Sequence, residues 1–510
     1  MPISSNLFSE LSSRWTDKDK IAIETNAGKL YSYRDIFAIT SRFANALRAG
    51  GVKSGDRVAA QVEKSPEALF LYLACLRAGA AYLPLNTAYT EAELDYFLCD
   101  AEPSVFVCGP GMREAARLCE KAHVPTLLTL GIEDDGTLPA LAAGQPDVFD
   151  DVPRSSGDLA AILYTSGTTG RSKGAMLSHG NLASNASALA QAWAFTSRDV
   201  LLHALPIFHT HGLFVATNVA LIAGASMLYL PKFDPGEIFR LLPRATTMMG
   251  VPTFYVRLLD DARLTRESTA NMRLFISGSA PLLPDTHRAF LERTGHSILE
   301  RYGMTETGMN TSNPYEGDRV PGTVGLPLPG VEVRIVNPET GEVLGDEDIG
   351  MIELRGPNVF EGYWRMPEKT KAEFRDDGFF ITGDLGKIDA RGYVHIVGRG
   401  KDLIISGGFN VYPKEVESEI DALPGVVESA VIGVPHPDFG EGVMAVVVPA
   451  KDSGLQEQAV IDALKNRLAN YKLPKRVFFV DGLPRNAMGK VQKNLLRDAY
   501  ADLFREQPKP

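Results

Sequence analysis

The sequence predicts a mixed α/β fold in which a large N-terminal domain precedes a small α/β domain. Amphipathic helices alternate with short apolar strands over residues 1–398, the pattern of stacked α/β layers. Within that region, residues 331–336 and 351–354 alternate with period two, which indicates a β-rich subdomain. Residues 399–402 are predicted to be a hinge, and residues 403–510 to form a mobile C-terminal lid with its own core.

Local signals predict the individual elements. Ser65 suits the N-cap of a helix that opens with Pro66, and Pro413 suits the first turn of another helix. Short strands that end in polar or glycine-rich turns place ligands at their carboxyl ends. The predicted strands include 159–163, 200–204 and 274–277 in the large domain and 430–433, 444–448 and 476–480 in the small one, with helices over 414–422 and 455–469.

Composition disfavours several kinds of partner. The 510 residues carry a net charge of −11 and a pI near 5.4, which argues against nucleic acid or an anionic membrane. Residues 212–230 carry no charge, but Gly224 interrupts them, so a buried helix and a strand are predicted there rather than a membrane span. No secretory signal is apparent, and a cytoplasmic protein is expected, with buried thiols at Cys75, Cys99, Cys108 and Cys119.

The stretch from Tyr164 to Gly174 is the most informative part of the chain. After the tyrosine it contains hydroxyls, glycines and the cations Arg171 and Lys173, with no apolar side chain to pack. Glycines let backbone N–H groups turn toward an anion, and hydroxyls and cations add to the attraction. The stretch therefore predicts a polyphosphate-binding loop. Its order differs from the Walker pattern, which disfavours ordinary P-loop phosphoryl transfer.

The order Tyr-Thr-Ser-Gly-Thr-Thr-Gly-x-x-Lys-Gly resembles the phosphate loop of the adenylate-forming superfamily, which includes acyl-CoA synthetases, adenylation domains of peptide synthetases and luciferases. The resemblance runs from about residue 30 to about residue 496, with its motifs in the family order. It implies the adenylate-forming enzyme fold, with ATP and CoA as co-substrates and Mg²⁺ as cofactor. The loop residues that it assigns to ATP are Thr165, Ser166, Gly167, Thr168, Thr169, Gly170 and Lys173.

Residues 301–307, Arg-Tyr-Gly-Met-Thr-Glu-Thr, match a second family motif. The resemblance places adenine between Tyr302 and the backbone of Ser279 and Ala280. It makes Thr305 a catalytic contact of the α-phosphate and Glu306 the ligand of Mg²⁺. A hard cation prefers oxygen ligands and keeps several waters, so one carboxylate together with the nucleotide's phosphates suffices.

The later motifs resemble the parts of the family that complete the reaction. Asp384 and Arg399 match ribose contacts, and Lys401 matches the position about which the small domain turns. Lys490 matches the lysine that catalyses adenylation, where an ammonium must stabilise charge as a carboxylate attacks the α-phosphorus. Acetylation of Lys490 would neutralise it and act as a switch. The implied CoA channel contains Gly407, Gly408 and Phe409.

The acyl substrate is predicted from the segment 251–259, which resembles the pocket wall of malonyl-CoA synthetases. Its one cation, Arg257, matches the residue that holds the second carboxylate of malonate, and a guanidinium fork suits a carboxylate. The apolar neighbours of Arg257, at Val256, Leu258 and Leu259, are expected to face packed surfaces. His209 matches the catalytic gating position. Ser277, Ser279 and Met304 are the expected pocket lining.

There are four alternatives to the favoured prediction, and one of them is luciferase-like oxidation, which the motifs neither require nor exclude. Arg257 extending to solvent instead would indicate a short fatty or aryl acid as substrate. A stand-alone adenylation enzyme would load a carrier protein encoded by a separate chain. A non-catalytic nucleotide-binding module is disfavoured because both Glu306 and Lys490 are present. The favoured prediction is a malonate–CoA ligase that forms malonyl-CoA, AMP and diphosphate through a malonyl-adenylate, with methylmalonate as a tolerated analogue.

Overall fold

The computed structural model describes residues 5–165, 172–406, 409–437, 439–465, 467–486 and 489–504. The predicted site residues Ser166 to Gly170, Gly407 and Gly408 lie outside the described residues. The chain divides into two compact units, one formed by residues 1–332 with 354–380 and the other by residues 333–353 with 381–510. The hinge at 399–402 stays a prediction.

The α-helices are short and mostly begin at a capping residue or a proline. Ser65 accepts a hydrogen bond from the amide of Ala68 at 3.1 Å and Pro66 follows it, which confirms the predicted cap. The helices are α1 (Leu7–Ser12), α2 (Tyr33–Ala49), α3 (Pro66–Arg77), α4 (Glu91–Ala101), α5 (Ala115–Lys121), α6 (Thr137–Ala143), α7 (His179–Ala192), α8 (Asn218–Ile222), α9 (Pro235–Leu241), α10 (Pro252–Leu259), α11 (Pro284–Thr294), α12 (Pro367–Ala372), α13 (Pro413–Asp421), α14 (Glu457–Leu464) and α15 (Lys493–Tyr500).

The strands are buried where helices cover both faces of a sheet. They are β1 (Ile21–Thr25), β2 (Leu30–Ser32), β3 (Arg57–Gln61), β4 (Ala81–Pro84), β5 (Val105–Cys108), β6 (Thr126–Thr129), β7 (Leu159–Thr165), β8 (Lys173–Ser178), β9 (Val200–His203), β10 (Ser226–Tyr229), β11 (Thr247–Gly250), β12 (Leu274–Ser277), β13 (Leu299–Met304), β14 (Gly308–Ser312), β15 (Leu326–Pro327), β16 (Glu332–Val336), β17 (Gly350–Arg355), β18 (Gly362–Tyr363), β19 (Phe380–Ile388), β20 (Val394–Arg399), β21 (Ile404–Ser406), β22 (Phe409–Val411), β23 (Val426–His436), β24 (Gly440–Pro449) and β25 (Arg476–Phe479).

Two sheets organise the first unit. One has the order β15-β14-β13-β12-β11-β9-β10-β1-β2, and its central strands from β13 to β1 run parallel. The other has the order β18-β8-β7-β4-β3-β5-β6. Gly250 pairs with Ser277 in register, and Ser277 pairs with Glu300. The carboxyl ends of β11 and β12 therefore meet at one edge, where parallel α/β sheets bind ligands.

Two further sheets account for much of the second unit. The antiparallel order β16-β17-β19-β20 covers the segment where period-two alternation predicts a β-rich subdomain. The other has the order β22-β21-β24-β23, with β25 pairing parallel to β24. Strands β23 and β24 extend beyond the predicted 430–433 and 444–448, because they pair along most of their length. Helix α14 ends at Leu464, five residues before the predicted end at Ala469.

Residues 212–230 form the predicted buried helical segment followed by a strand. A π-helix over His211–Thr217 continues into α8, and β10 follows. Among the described residues, none of the helices is long and apolar enough to cross a membrane. One thiol prediction is wrong: Cys75, Cys108 and Cys119 are buried, but Cys99 is exposed. Cys99 lies on the outward face of α4, while Leu94 and Phe97 take the buried face.

Candidate active site

Strands β7 and β8 present the phosphate-loop motif as a hairpin. Thr165 pairs with Lys173 at the end where the two strands are joined, and residues 166–171 between them lie outside the described part of the chain. The Lys173 ammonium lies 3.3 Å from the Glu373 carboxylate and 4.0 Å from the centre of the Tyr363 ring. Lys173, the predicted phosphate-binding cation, is thus paired with Glu373, which no sequence motif indicated.

Glu306, the predicted Mg²⁺ ligand, lies in the same cluster. It is 7% exposed, and its Oε1 lies 3.1 Å from the Tyr363 hydroxyl. That hydroxyl also lies 2.7 Å from Oε2 of Glu373, so Tyr363 connects the predicted metal ligand to the partner of Lys173. The described residues contain no cluster of three His, Cys, Asp or Glu side chains that would hold a metal. A single buried carboxylate fits Mg²⁺ that takes most of its ligands from phosphates and water.

The ends of β12 and β13 bring a second set of predicted residues together. Ser279 has a φ of 71°, a left-handed conformation that is uncommon for a residue other than glycine and is often found at functional sites. Its hydroxyl lies 3.2 Å from Nδ1 of His211. Burial and the nearby Arg301 hold the pKa of His211 well below its ordinary value, so the imidazole is neutral at physiological pH.

His209 and His211 lie at the start of the π-helix. Nδ1 of His209 accepts a hydrogen bond from the His211 amide at 3.3 Å. Behind them, the imidazole of His203 lies 3.0 Å from the carbonyl of Gly212 and is itself 3.0 Å from the Lys64 ammonium. A π-helix is rare and commonly marks a functional site. The gating prediction for His209 stays a prediction, whereas His211 has the direct contact with Ser279.

Arg301 is buried at the same place and was not given a role from the sequence. Its side chain is 3% exposed, and its Nε and Nη2 atoms have no hydrogen-bond partner among the described residues. A Cβ on Gly278 would overlap the guanidinium, so Gly278 is the residue that admits it. Ser277, at the end of β12, also has a buried hydroxyl without a partner in the described residues. Burial lowers the pKa of Arg301 to about 9, which leaves it charged at neutral pH.

Arg257 lies on the outer face of α10. Tyr255 and Leu258 are buried, whereas Val256 is 42% exposed and Arg257 is exposed. The expectation that Val256 packs against a buried surface is wrong, because an amphipathic helix of 3.6 residues per turn buries Tyr255 and Leu258 on one face and turns the two residues between them outward. The predicted contact of Arg257 with a carboxylate stays a prediction. Tyr302 and Met304 are half-buried on β13, with the Tyr302 hydroxyl 3.8 Å from the Met304 sulfur.

The second unit contains the remaining predicted residues. Asp384 and Arg399 pair in register between β19 and β20, and their side chains form an ion pair at 2.7 Å. Partial desolvation, together with repulsion from Arg399 and Lys401, lowers the pKa of Lys490 to about 8. Lys401 lies in the 3₁₀ turn Gly400–Asp402.

Phe409 is exposed at the start of β22. It stacks on Tyr471, with ring centres 4.7 Å apart. Its two glycine neighbours in the predicted CoA channel are outside the described residues, so the channel stays a prediction. Phe409 is thus an exposed ring whose one described aromatic partner, Tyr471, is half-buried.

Sequence reasoning missed Arg301, Tyr363 and Glu373. Arg301 is the first residue of the motif that contains Tyr302 and Glu306. A cation that follows an apolar run in such a motif is the feature that could have indicated its role. Tyr363 and Glu373 carry no local pattern that predicts their contacts, because their partners lie far away in sequence.

Comparisons with known proteins agree on the family of this fold and site. The model of the family described as AMP-binding enzyme matches residues 13–364, and that of its C-terminal domain matches residues 415–490. The chain is 37% identical to a feruloyl-CoA synthase from Amycolatopsis over 93% of this chain and 95% of the relative. It is 36% identical to the mitochondrial malonate–CoA ligase of Mus musculus, covering 96% and 90%. The crystal structure of ATP-bound MatB from Rhodopseudomonas palustris superposes with a TM-score of 0.97, at 64% identity over 99% of this chain and 100% of that one.

Proposed function

We propose that malonate is the acid that this chain joins to CoA, since the chain belongs to the AMP-binding enzyme family and is an AMP-forming acid–thiol ligase. In the proposed reaction, a malonate carboxylate oxygen attacks the α-phosphorus of ATP and pyrophosphate leaves. The CoA thiol then attacks the acyl carbon of the malonyl-adenylate, and AMP leaves. Malonyl-CoA, AMP and diphosphate are the products.

The observation that carries this proposal is the buried guanidinium of Arg301, whose Nε and Nη2 have no hydrogen-bond partner among the described residues. Leaving a buried cation without a partner costs several kcal/mol, so a bound anion would stabilise it. The hydroxyl of Ser277 and the His211–Ser279 pair lie at the same sheet edge and offer further polar groups. Malonate has one carboxylate that reacts and one that does not. Arg301 suits the second, because its fork matches carboxylate geometry.

The chain's own residues would then divide the work. The neutral imidazole of His211 and the hydroxyl of Ser279 would orient the reacting carboxylate, and Thr305 would contact the α-phosphate. Glu306 would hold Mg²⁺, which neutralises phosphate charge when it is bound. Lys490 would stabilise the charge that develops at the α-phosphate, and Asp384 would hold the ribose. Rotation at Lys401 would exchange the groups required for thiolysis.

An aryl acid is the second candidate substrate, because the feruloyl-CoA synthase is as similar as the malonate–CoA ligase. An aryl acid carries no second carboxylate and would leave Arg301 without an anion. The cost of that buried charge favours malonate over ferulate.

A pyrophosphate-release screen tests the proposal. Malonate, methylmalonate, butyrate and ferulate are compared, each with and without CoA. Malonate should give the highest kcat/KM, methylmalonate a lower but measurable one, and CoA should be required for turnover. Faster turnover of ferulate or butyrate would reject malonate as the substrate.

The same assay shows which of the two arginines, Arg257 or Arg301, binds the distal carboxylate of malonate. Because Arg257 is exposed and Arg301 is the proposed partner of the distal carboxylate, Arg257→Leu should keep kcat/KM for malonate within about twofold of the parent. A fall of about 30-fold in this variant would instead assign the distal carboxylate to Arg257.

A further inference from the structure

We propose that Glu373 is a positioning residue for ATP binding, which holds the phosphate-loop cation Lys173 in the nucleotide-free protein and releases it to the phosphates of ATP. The juxtaposition of Lys173, Glu373, Tyr363 and Glu306 supports it. The inference rests on the proposed function, since it assigns Lys173 to the nucleotide.

The contact between Lys173 and Glu373 is partly buried. Their side chains are 17% and 18% exposed, with the ammonium 3.3 Å from the carboxylate. The same ammonium lies over the face of the Tyr363 ring at 4.0 Å, a favourable cation–π distance. The Glu373 carboxylate and the Tyr363 ring therefore both hold the Lys173 ammonium in place. A phosphate that takes this cation must compete with the carboxylate.

The release of Lys173 would not leave Glu373 as a bare buried anion. Lys369, four residues earlier, lies 2.7 Å from the same carboxylate oxygen and is 46% exposed. The Tyr363 hydroxyl lies 2.7 Å from the other oxygen. Because both contacts remain, the cost of transferring Lys173 to a phosphate is much smaller than that of breaking an isolated buried ion pair.

Tyr363 couples this transfer to the predicted metal ligand. Its hydroxyl has a single proton and lies near two carboxylates, Glu373 at 2.7 Å and Glu306 at 3.1 Å. It can donate to only one of them at a time. When Lys173 leaves, the Glu373 carboxylate loses a neighbouring cation and attracts the Tyr363 hydroxyl more strongly. Glu306 then has greater freedom to bind a cation that accompanies the phosphates.

The test measures ATP binding by calorimetry, with Mg²⁺ present and with both acid and CoA omitted so that no turnover occurs. Glu373→Gln should bind ATP about fivefold tighter than the parent, the scale of a partly exposed ion pair. Glu368→Gln is the matched control, since it makes the same charge change on α12 at an exposed position, and it should bind as the parent does. Adenosine, which lacks phosphates, should bind equally to the parent and both variants.

A double-mutant cycle with Lys173→Gln isolates the pair. In the Lys173→Gln background, Glu373→Gln should no longer change ATP affinity. Unchanged or weaker ATP binding by Glu373→Gln, or an equal change for adenosine, overturns the inference. A parent that binds ATP but does not use malonate would reject the proposed substrate and leave this inference standing.

Discussion

The cluster of Lys173, Glu373, Tyr363 and Glu306, on the predicted phosphate side, and the residues around Arg301, on the predicted acid side, balance a positive charge in opposite ways. At the phosphate side, Lys173 already has a carboxylate partner in Glu373. At the acid side, Arg301 is buried with nitrogens that lack a partner among the described residues. A ligand at the first place must displace an internal anion, whereas a ligand at the second supplies one that is missing. With the proposed roles, the first arrangement would limit affinity for the nucleotide, and the second would give selectivity for an acid with a second negative charge.

The largest expected effect is the loss of kcat/KM for malonate when Arg301 is replaced. Arg301→Met keeps the length of the side chain and removes its charge, so the distal carboxylate of malonate loses its partner. Truncating such a partner costs roughly 2–5 kcal/mol, which predicts a fall of about 30-fold or more in kcat/KM for malonate. Butyrate should lose far less. Steady-state kinetics with both acids checks this. An equal loss of kcat/KM for malonate and butyrate would show that Arg301 has only a structural role.

A dependence on pH is expected at Lys490, which lies near the cations Arg399 and Lys401. The protonated ammonium is the form that stabilises developing negative charge, and its pKa of about 8 lies below the ordinary value. Lys490 is therefore fully protonated well below pH 8, and its protonated fraction falls as the pH rises through about 8. ATP–pyrophosphate exchange should fall about tenfold per pH unit on the alkaline side, while thiolysis of supplied malonyl-adenylate should not.

Lys490→Arg is the control for this pH dependence. A guanidinium stays charged across the range, so any residual exchange should lose its alkaline decline. An exchange rate of the parent that stays level up to pH 10 would contradict the assignment.

The smallest expected effect concerns salt. Screening acts strongly on exposed charges and weakly on buried ones. The KM for malonate should therefore change by less than about twofold between roughly 50 and 300 mM salt, because Arg301 is 3% exposed. The KM for ATP should rise more over the same range. Equal salt dependence of the two KM values would show that the two charges are equally exposed.

Local features of the fold could be predicted from the sequence, and long-range ones could not. The Ser65–Pro66 cap and the strands at 200–203 and 274–277 follow from signals within a few residues. The contact of Lys173 with Glu373 joins residues 200 positions apart, and no local pattern encodes it. The error at Val256 has the same origin, since apolar neighbours do not tell which face of a helix a core will cover.

For the candidate site, the motifs predicted which residue types are present but not how their charges are balanced. Whether Arg301 has a partner depends on Gly278 and on every group packed around it. The left-handed conformation of Ser279 likewise results from the surrounding structure and not from the preference of serine.

Because residues His211–Thr217 form a π-helix, the length of this segment sets the direction in which the His211 side chain points. A π-helix accommodates one residue more than an α-helix of the same span, and each residue of an α-helix advances by about 100° around the axis. Deleting a single residue after Gly212 would restore an α-helical register and rotate His211 relative to the helix that follows. The imidazole would then no longer face Ser279, although every residue of the site would be retained. In evolutionary terms, a one-residue deletion here would disrupt the proposed site as a substitution in it would, while the backbone hydrogen bonding of the helix improved.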